Sequence, residues 1–320
     1  MTKLTRRGFT GGVVGGLAAG TTLTGFPAIA QSTTKVTIGY TAVADFTSAF
    51  VAQENGYFRS RGLEVNFQLI ALNSNIPAAM QADSVQIGGP TPSVMLQAND
   101  GGLDLVAVAG GSVTSKDVAN YGFVEKTGAG ITDAKSAEGK RVGVPGLGAF
   151  LHVLFRKWMT EKGADWKKVT FVETAFPQMA DILRGGSVDA LVTGSPIMER
   201  IVQGNIGRVV SYFHTELPAG LPAILYSTTR AWATRNPQAI KAFREGLTEG
   251  SAFVADKAND AKVRAAIGKY IALPPAVLAN AIISAQKPTI TVAEIDYWIT
   301  IMREQEMLRG QPVAGNVVLP

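Results

Sequence analysis

Ser84-Val85-Gln86-Ile87-Gly88-Gly89-Pro90-Thr91-Pro92-Ser93-Val94-Met95 and Ser187-Val188-Asp189-Ala190-Leu191-Val192-Thr193-Gly194-Ser195-Pro196-Ile197-Met198 share one pattern. Each carries a short β-rich run into Gly, then Thr-Pro or Ser-Pro, then an amphipathic start. Thr91 and Ser195 offer the side-chain oxygen that a helix N-cap uses to accept an early backbone N–H. Pro92 and Pro196 then fall at the first helical position, where a missing N–H costs nothing. One such strand-to-helix turn in each half of the chain predicts two α/β lobes of like construction.

The surrounding sequence extends both units. In the first, β-rich runs at 36–40, 63–70, 85–87 and 103–109 alternate with helical spacing at 46–56, 76–82 and 92–98. Strands alternating with helices predict a parallel sheet. In the second, Arg141-Val142-Gly143-Val144 runs into Pro145-Gly146-Leu147-Gly148. Leu151, Leu154, Phe155, Trp158 and Met159 follow as a helical stripe. Strands at 169–173, 190–192 and 208–212, the last of the set, alternate with helices at 178–183 and 198–202. The rest of the chain reads as helical. Asn236-Pro237 is a cap and a first helical position, with Ile240, Phe243, Leu247 and Val254 on the apolar face. Thr291-Val292-Ala293-Glu294 is a capping box. It opens a helix with Ile295, Trp298, Ile299 and Met302 on one side and Gly310 and Pro312 beyond it. These aromatic stripes read as core.

The N-terminus carries an address. Arg6-Arg7 precede a weakly apolar, uncharged run at 13–24, and Ala28-Ile29-Ala30 supplies the small residues of a cleavage site. This pattern predicts a signal peptide over 1–30, and adjacent arginines point to the twin-arginine route. The run is too short and Gly-rich for a spanning helix. No Cys follows it, so a periplasmic mature chain free of lipid is expected, beginning near Gln31. Lys3, Arg6 and Arg7 belong to the signal and no acid does, so the net charge of +5 falls by three to +2. That weakens a nucleic-acid reading, which wants a basic patch. With 46% hydrophobic residues and 17% charged, the chain can bury a sizeable core. The absence of Cys removes thiol catalysis, Cys-bound zinc and haem attachment.

In open α/β sheets, ligands bind beyond the carboxyl ends of the strands. Four turns there are rich in small residues: 41–46, 88–93, 146–150 and 193–196. Small residues let backbone N–H groups approach a ligand, and helix N-termini favour anions. A phosphate loop, a His-Glu-x-x-His pair and a complete dinucleotide fingerprint are all missing. His152 and His214 are the only histidines, and no metal-ligand spacing surrounds them. His152 lies one step off its helix's apolar stripe, which leaves it partly exposed or facing the cleft, as a ligand contact or a structural residue. No cofactor, metal or catalytic residue is expected.

Phe50-Val51-Ala52-Gln53-Glu54-Asn55-Gly56-Tyr57-Phe58 with Gly62-Leu63-Glu64-Val65 resembles the A-x-x-x-GYF-x-x-x-GL-x-V signature of the NMT1/THI5-like and SsuA-like substrate-binding proteins. Lys140-Arg141-Val142-Gly143-Val144-Pro145-Gly146 and Gly186-Ser187-Val188-Asp189-Ala190 resemble two further segments of that family. The resemblance implies an α/β chain of the type II periplasmic-binding fold, two lobes with a ligand cleft between them. Lobe I would comprise 33–111 and 222–320, and lobe II 112–221. Hinge strands would pass near 110–112 and 218–224. It implies a non-catalytic, monomeric protein that closes on a small molecule and delivers it to an ABC permease with its ATPase. Ligands in the family include nitrate, sulfonates, thiamine-pyrimidine precursors and aromatic acids. By similarity the contacts would be Thr41, Asp45, Phe46, Gly89, Thr91, Ser93, Gly146, Ala149, Phe150, His152, Phe176, Thr193 and Ser195. Here the chain departs from the anion-binding members. Its second-lobe turn lacks their hydroxyls and adds Phe150, and no Lys or Arg falls in the four turns. A carboxylate or aromatic-type ligand is therefore expected over nitrate or a simple sulfonate, while Asp45 leaves room for a positive or hydrogen-donating group. Two alternatives stand beside transport. One is an enzyme on the same fold, like thiamine-pyrimidine synthase, which relies on a cysteine-rich segment and a pyridoxal phosphate lysine. The other is a sensor or scavenger.

Overall fold

The paired turns occupy equivalent places in two five-stranded sheets. The computed structural model describes residues 33–320, so the predicted signal at 1–30 lies outside the described residues. In chain order the strands are β1 (Thr34–Tyr40), β2 (Leu63–Leu69), β3 (Ile87–Gly88), β4 (Leu105–Gly110), β5 (Ser112–Val113), β6 (Tyr121–Lys126), β7 (Arg141–Val144), β8 (Thr170–Glu173), β9 (Ala190–Gly194), β10 (Gly207–Ser211), β11 (Leu225–Thr229) and β12 (Ala285–Gln286). The first sheet has the order β2-β1-β3-β11-β4 and the second β8-β7-β9-β6-β10, with β12 and β5 forming a small ribbon.

The two sheets are built alike. β1 runs parallel to β2 and β3, as β7 does to β8 and β9. β11 is antiparallel to β3 and β4, and β6 is antiparallel to β9 and β10. Each sheet is thus mixed, where alternation predicted a purely parallel one. The antiparallel strand in each follows a crossing between the sheets, from 110 to 121 and from 211 to 225. β10 is not the last strand, because β11 and β12 come after it. Alternation failed here because an antiparallel strand entered from the other sheet needs no crossover helix of its own.

The helices are α1 (Thr47–Glu54), α2 (Ile76–Gln81), α3 (Pro92–Asp100), α4 (Phe150–Glu161), α5 (Met179–Gly185), α6 (Ile197–Gln203), α7 (Arg230–Arg235), α8 (Pro237–Ala255), α9 (Asp260–Tyr270), α10 (Pro275–Ala279), α11 (Val292–Glu304) and α12 (Ala314–Val317). The stripe on α4 is wholly buried, each such side chain contributing about 1.5–3 kcal/mol. β4 is buried along its whole length, as expected of a strand covered on both faces. On α8, Ile240, Phe243 and Leu247 are buried and Val254 is half-buried.

Two predicted caps are corrected. Asn236 does not cap α8; its side chain donates to Trp232 O and closes the end of α7. Ser195 does not cap α6, because Pro196 holds the N-cap place and Ser195 Oγ instead accepts from Ile282 N at 2.7 Å. The two short turns linking strand to helix therefore differ in detail. Thr91 does cap α3, accepting from Val94 N at 3.3 Å, with Pro92 first in the helix.

The capping box at Thr291 and Glu294 forms in both directions. α11 ends at Glu304, short of Gly310. Thr291→Ala leaves Glu294 N without its side-chain partner, so a loss of about 1 kcal/mol is expected, measured as the urea midpoint at unchanged slope. Among the described residues no helix is long and apolar enough to cross a membrane.

Candidate functional site

The carboxyl ends of the two sheets face each other across a seam closed by direct hydrogen bonds. Ala44 N donates to Ser195 O at 3.0 Å, Phe150 N to Thr91 Oγ1 at 3.3 Å, and Ser74 Oγ to Glu173 Oε1 at 3.3 Å. Asn120 Nδ2 donates to Ser284 Oγ at 2.8 Å. Between them lies a cavity of about 30 Å³, room for about one water-sized body. Organic ligands need pockets of roughly 300 Å³ or more. The lobes must therefore part before such a ligand can enter. A larger groove of about 560 Å³ runs between the flanks of α2 and α3, but no strand end or charged side chain lines it.

The cavity gathers Thr41, Asp45, Thr91, Ala149, Phe150 and Phe176 from the sequence-predicted set. The other predicted residues are buried but do not line it. Phe46 points into the first-lobe core, with its ring centroid 6.0 Å from Tyr40 and 6.1 Å from Tyr226. Gly89 makes room for that ring: a Cβ there would lie 2.1 Å from Phe46 Cε1. Ser93 Oγ bonds Thr91 Oγ1 at 3.1 Å and supports the cap. Gly146 packs against Ser74 across the seam. Ser195 holds the backbone of residue 282, and the Thr193 hydroxyl is buried without a partner among the described residues.

His152 has a structural setting. Gly148 N donates to its Nδ1 at 2.8 Å, and its ring stands edge-on to Phe171 at 4.4 Å. The proton therefore sits on Nε2, which finds no partner among the described residues. Burial first, and the positive charge of Arg156 second, lower its pKa to about 3. The unfolded chain takes up this proton near pH 6.5 and the folded chain only near 3, so stability falls as pH drops through that window. Between pH 6.5 and 4 this group accounts for a loss of about 3 kcal/mol. His152→Asn keeps an acceptor for Gly148 N and is expected to flatten that decline in urea titrations.

Sequence reasoning missed Val43, Asn73, Tyr121, Pro145, Leu151, Ala223 and Ile224, which complete the lining. Tyr121 opens β6, and its β-rich run Tyr121-Gly122-Phe123-Val124 was a usable signal. Asn73 sits in a 3-10 turn with no sequence marker. It clamps the turn before α3, donating to Gly89 O at 3.2 Å and accepting from Thr91 N at 2.9 Å. The polar centre is Asp45, whose carboxylate accepts from Ser112 Oγ and Tyr121 Oη, with the Ser284 hydroxyl against it as well. Burial raises its pKa while these three hydroxyls pull it back. Tyr121 is raised well above the usual phenol range by burial and by the Asp45 charge. No group of three metal-ligating side chains occurs among the described residues. The arrangement can enclose and orient a small molecule.

A search of curated protein sequences returns no match. Among solved structures, the chain is similar to the alkanesulfonate-binding protein SsuA from Xanthomonas axonopodis pv. citri bound to MOPS. The TM-score is 0.74 at 16% identity, covering 89% of this chain and 98% of that one. It is also similar to the periplasmic nitrate-binding protein NrtA from Synechocystis PCC 6803, with TM-score 0.77, 14% identity, and 89% and 86% coverage. A ligand-binding component of an ABC-type import system from Staphylococcus aureus, with zinc bound, matches at TM-score 0.74 and 11% identity, covering 90% and 97%. At these identities the likeness shows the two-lobed fold of periplasmic binding proteins. A family model described as NMT1/THI5 like matches residues 43–261, and the chain belongs to the NMT1/THI5-like family.

Proposed function

We propose that this chain is the ligand-capturing component of an ABC importer, exported by its signal and working as a monomer outside the cytoplasm. It takes a small organic ligand with an apolar or aromatic body into the cleft between 33–111 with 222–320 and 112–221, and presents the closed form to a permease with its ATPase. The observation that carries the reading is the seam itself. Buried side chains of both sheets meet around an apolar, ring-lined cavity that has a polar centre and no catalytic set. The crossings at β5 and at Pro222, bridged to Val113, are the hinges of this reading. A ligand that contacts both lobes stabilises the closed form by its differential affinity for it. Phe150 and Phe176 supply flat apolar surface for a ring, and Thr41, Asn73 and Thr91 supply polar contacts beside it.

Native mass spectrometry of the chain purified from an exported fraction tests this. A retained small molecule, lost on mild unfolding, is the expected result. A chain that carries none, and that no small molecule stabilises in thermal unfolding, contradicts it. Thr91→Ala removes a cap worth about 1 kcal/mol and one cross-seam acceptor. Weaker ligand binding by a folded protein is expected, and unchanged affinity in a titration removes Thr91 from the site.

A further inference from the structure

Resting on the binding-protein reading above, we propose that the ligand presents a protonated or N–H-donating nitrogen to Asp45, and that the cleft discriminates against carboxylate and sulfonate head groups. Of the two ligand types expected from sequence, this keeps the aromatic body and gives up the carboxylate.

Three observations converge on it. First, among the described residues Asp45 is the only Asp, Glu, Lys, Arg or His that lines the cavity, and it has no ion-pair partner there. Its neighbours Ser112, Tyr121 and Ser284 are neutral hydroxyls. The carboxylate's roughly four acceptor sites are met by these hydroxyls and by its own backbone N–H, so a ligand donor takes the place of one hydroxyl. An anion would meet this charge with nothing of opposite sign beside it.

Second, several backbone donors at the turns that open α3 and α4 are already used by the protein. At the start of α4, Leu147 N donates to Glu173 Oε1 at 2.7 Å, Gly148 N to His152 Nδ1 at 2.8 Å and Phe150 N to Thr91 Oγ1 at 3.3 Å. At α3, Thr91 N is held by Asn73 Oδ1 at 2.9 Å. Glu173 adds a second carboxylate at that turn, so the positive end of α4 is already answered.

Third, Asp45 lies before α1 in the first lobe and accepts from Tyr121 Oη of the second sheet, so this carboxylate is itself a link across the seam. A ligand nitrogen held by Asp45 therefore engages that link directly. Asp45 then reads the head group and rewards closure at once.

Calorimetric titration of the full chain with benzylamine, benzamidine, benzoate and benzenesulfonate holds the ring constant and varies the head group. At least one of the two cations is expected to bind, with both anions at least tenfold weaker. Asp45→Asn is expected to weaken the cation at least tenfold and to leave the anions unchanged or tighter. Tighter binding of either anion, no binding of either cation, or unchanged cation affinity in Asp45→Asn overturns the proposal. Should that variant fail to fold, the head-group ranking on the unaltered chain decides alone. An anionic molecule retained in native mass spectrometry also overturns it while leaving the binding-protein reading intact. A chain with no retained molecule and no binding to any compound removes that reading too.

Discussion

Gly110→Ala is expected to destabilise the protein by about 3 kcal/mol, near the upper end of what overpacking costs. A Cβ at this position would lie 2.3 Å from both Lys287 O and Thr289 O. Both are backbone atoms, so no rotamer change relieves the contact. Gly110 N also donates to Pro288 O at 3.0 Å, which pins the same segment against the end of β4. The first crossing between the sheets leaves from this point, and the β5–β12 ribbon follows at once. The substitution therefore strains the place where the chain changes lobes as well as the local packing. A lower urea midpoint is the readout. Gly315→Ala is the control: nothing lies within 4 Å of the added carbon, so a change within about 0.5 kcal/mol is expected.

Trp298→Ala is expected to cost about 3–5 kcal/mol. Trp298 is among the largest fully buried side chains, and its ring lies 5.8 Å from that of Phe150. Phe150 lines the cleft at the start of α4, so α11 buttresses a ligand-facing ring. Gln305, just beyond α11, adds a polar tie by donating to Val153 O at 2.9 Å. Alanine leaves a cavity behind Phe150 and frees it to tilt. Trp298 Nε1 has no partner among the described residues, so Trp298→Phe gives up mainly packing and is expected to be much milder. A phenylalanine variant as damaging as alanine would show that the indole nitrogen matters after all.

How much of this was legible beforehand follows from which residues carry local signals. The matching turns at Thr91-Pro92 and Ser195-Pro196 marked the strand-to-helix links from β3 to α3 and from β9 to α6, one in each sheet. The antiparallel strands β6 and β11 were missed because each pairs only with segments distant in sequence and lacks the crossover helix that announces a parallel strand. Tyr121 was lost from the site with β6. Phe46 and His152 lie close in sequence to true lining residues, yet their side chains turn into the core or onto their own helix, and Gly89 only makes room for the Phe46 ring. Sequence spacing fixes a turn's position, whereas the direction of a side chain within it depends on packing partners far along the chain, as Tyr226 is for Phe46. The Asp45 cluster is the extreme case, since its hydroxyl donors come from residues 112, 121 and 284.

Ligand-dependent closure is the most direct test of the account. The chain has no cysteine, so Asn75→Cys and Leu147→Cys give a clean pair for spin labels. Both side chains are exposed and flank the approach of Gly146 to Ser74 across the seam. Pulsed electron–electron distance measurements would compare the free protein with samples given the head-group series and a bacterial small-molecule extract. The account predicts a longer distance in the free protein and a short one that grows with at least one addition. A single distance unchanged through every addition would contradict a protein that captures its ligand by closing.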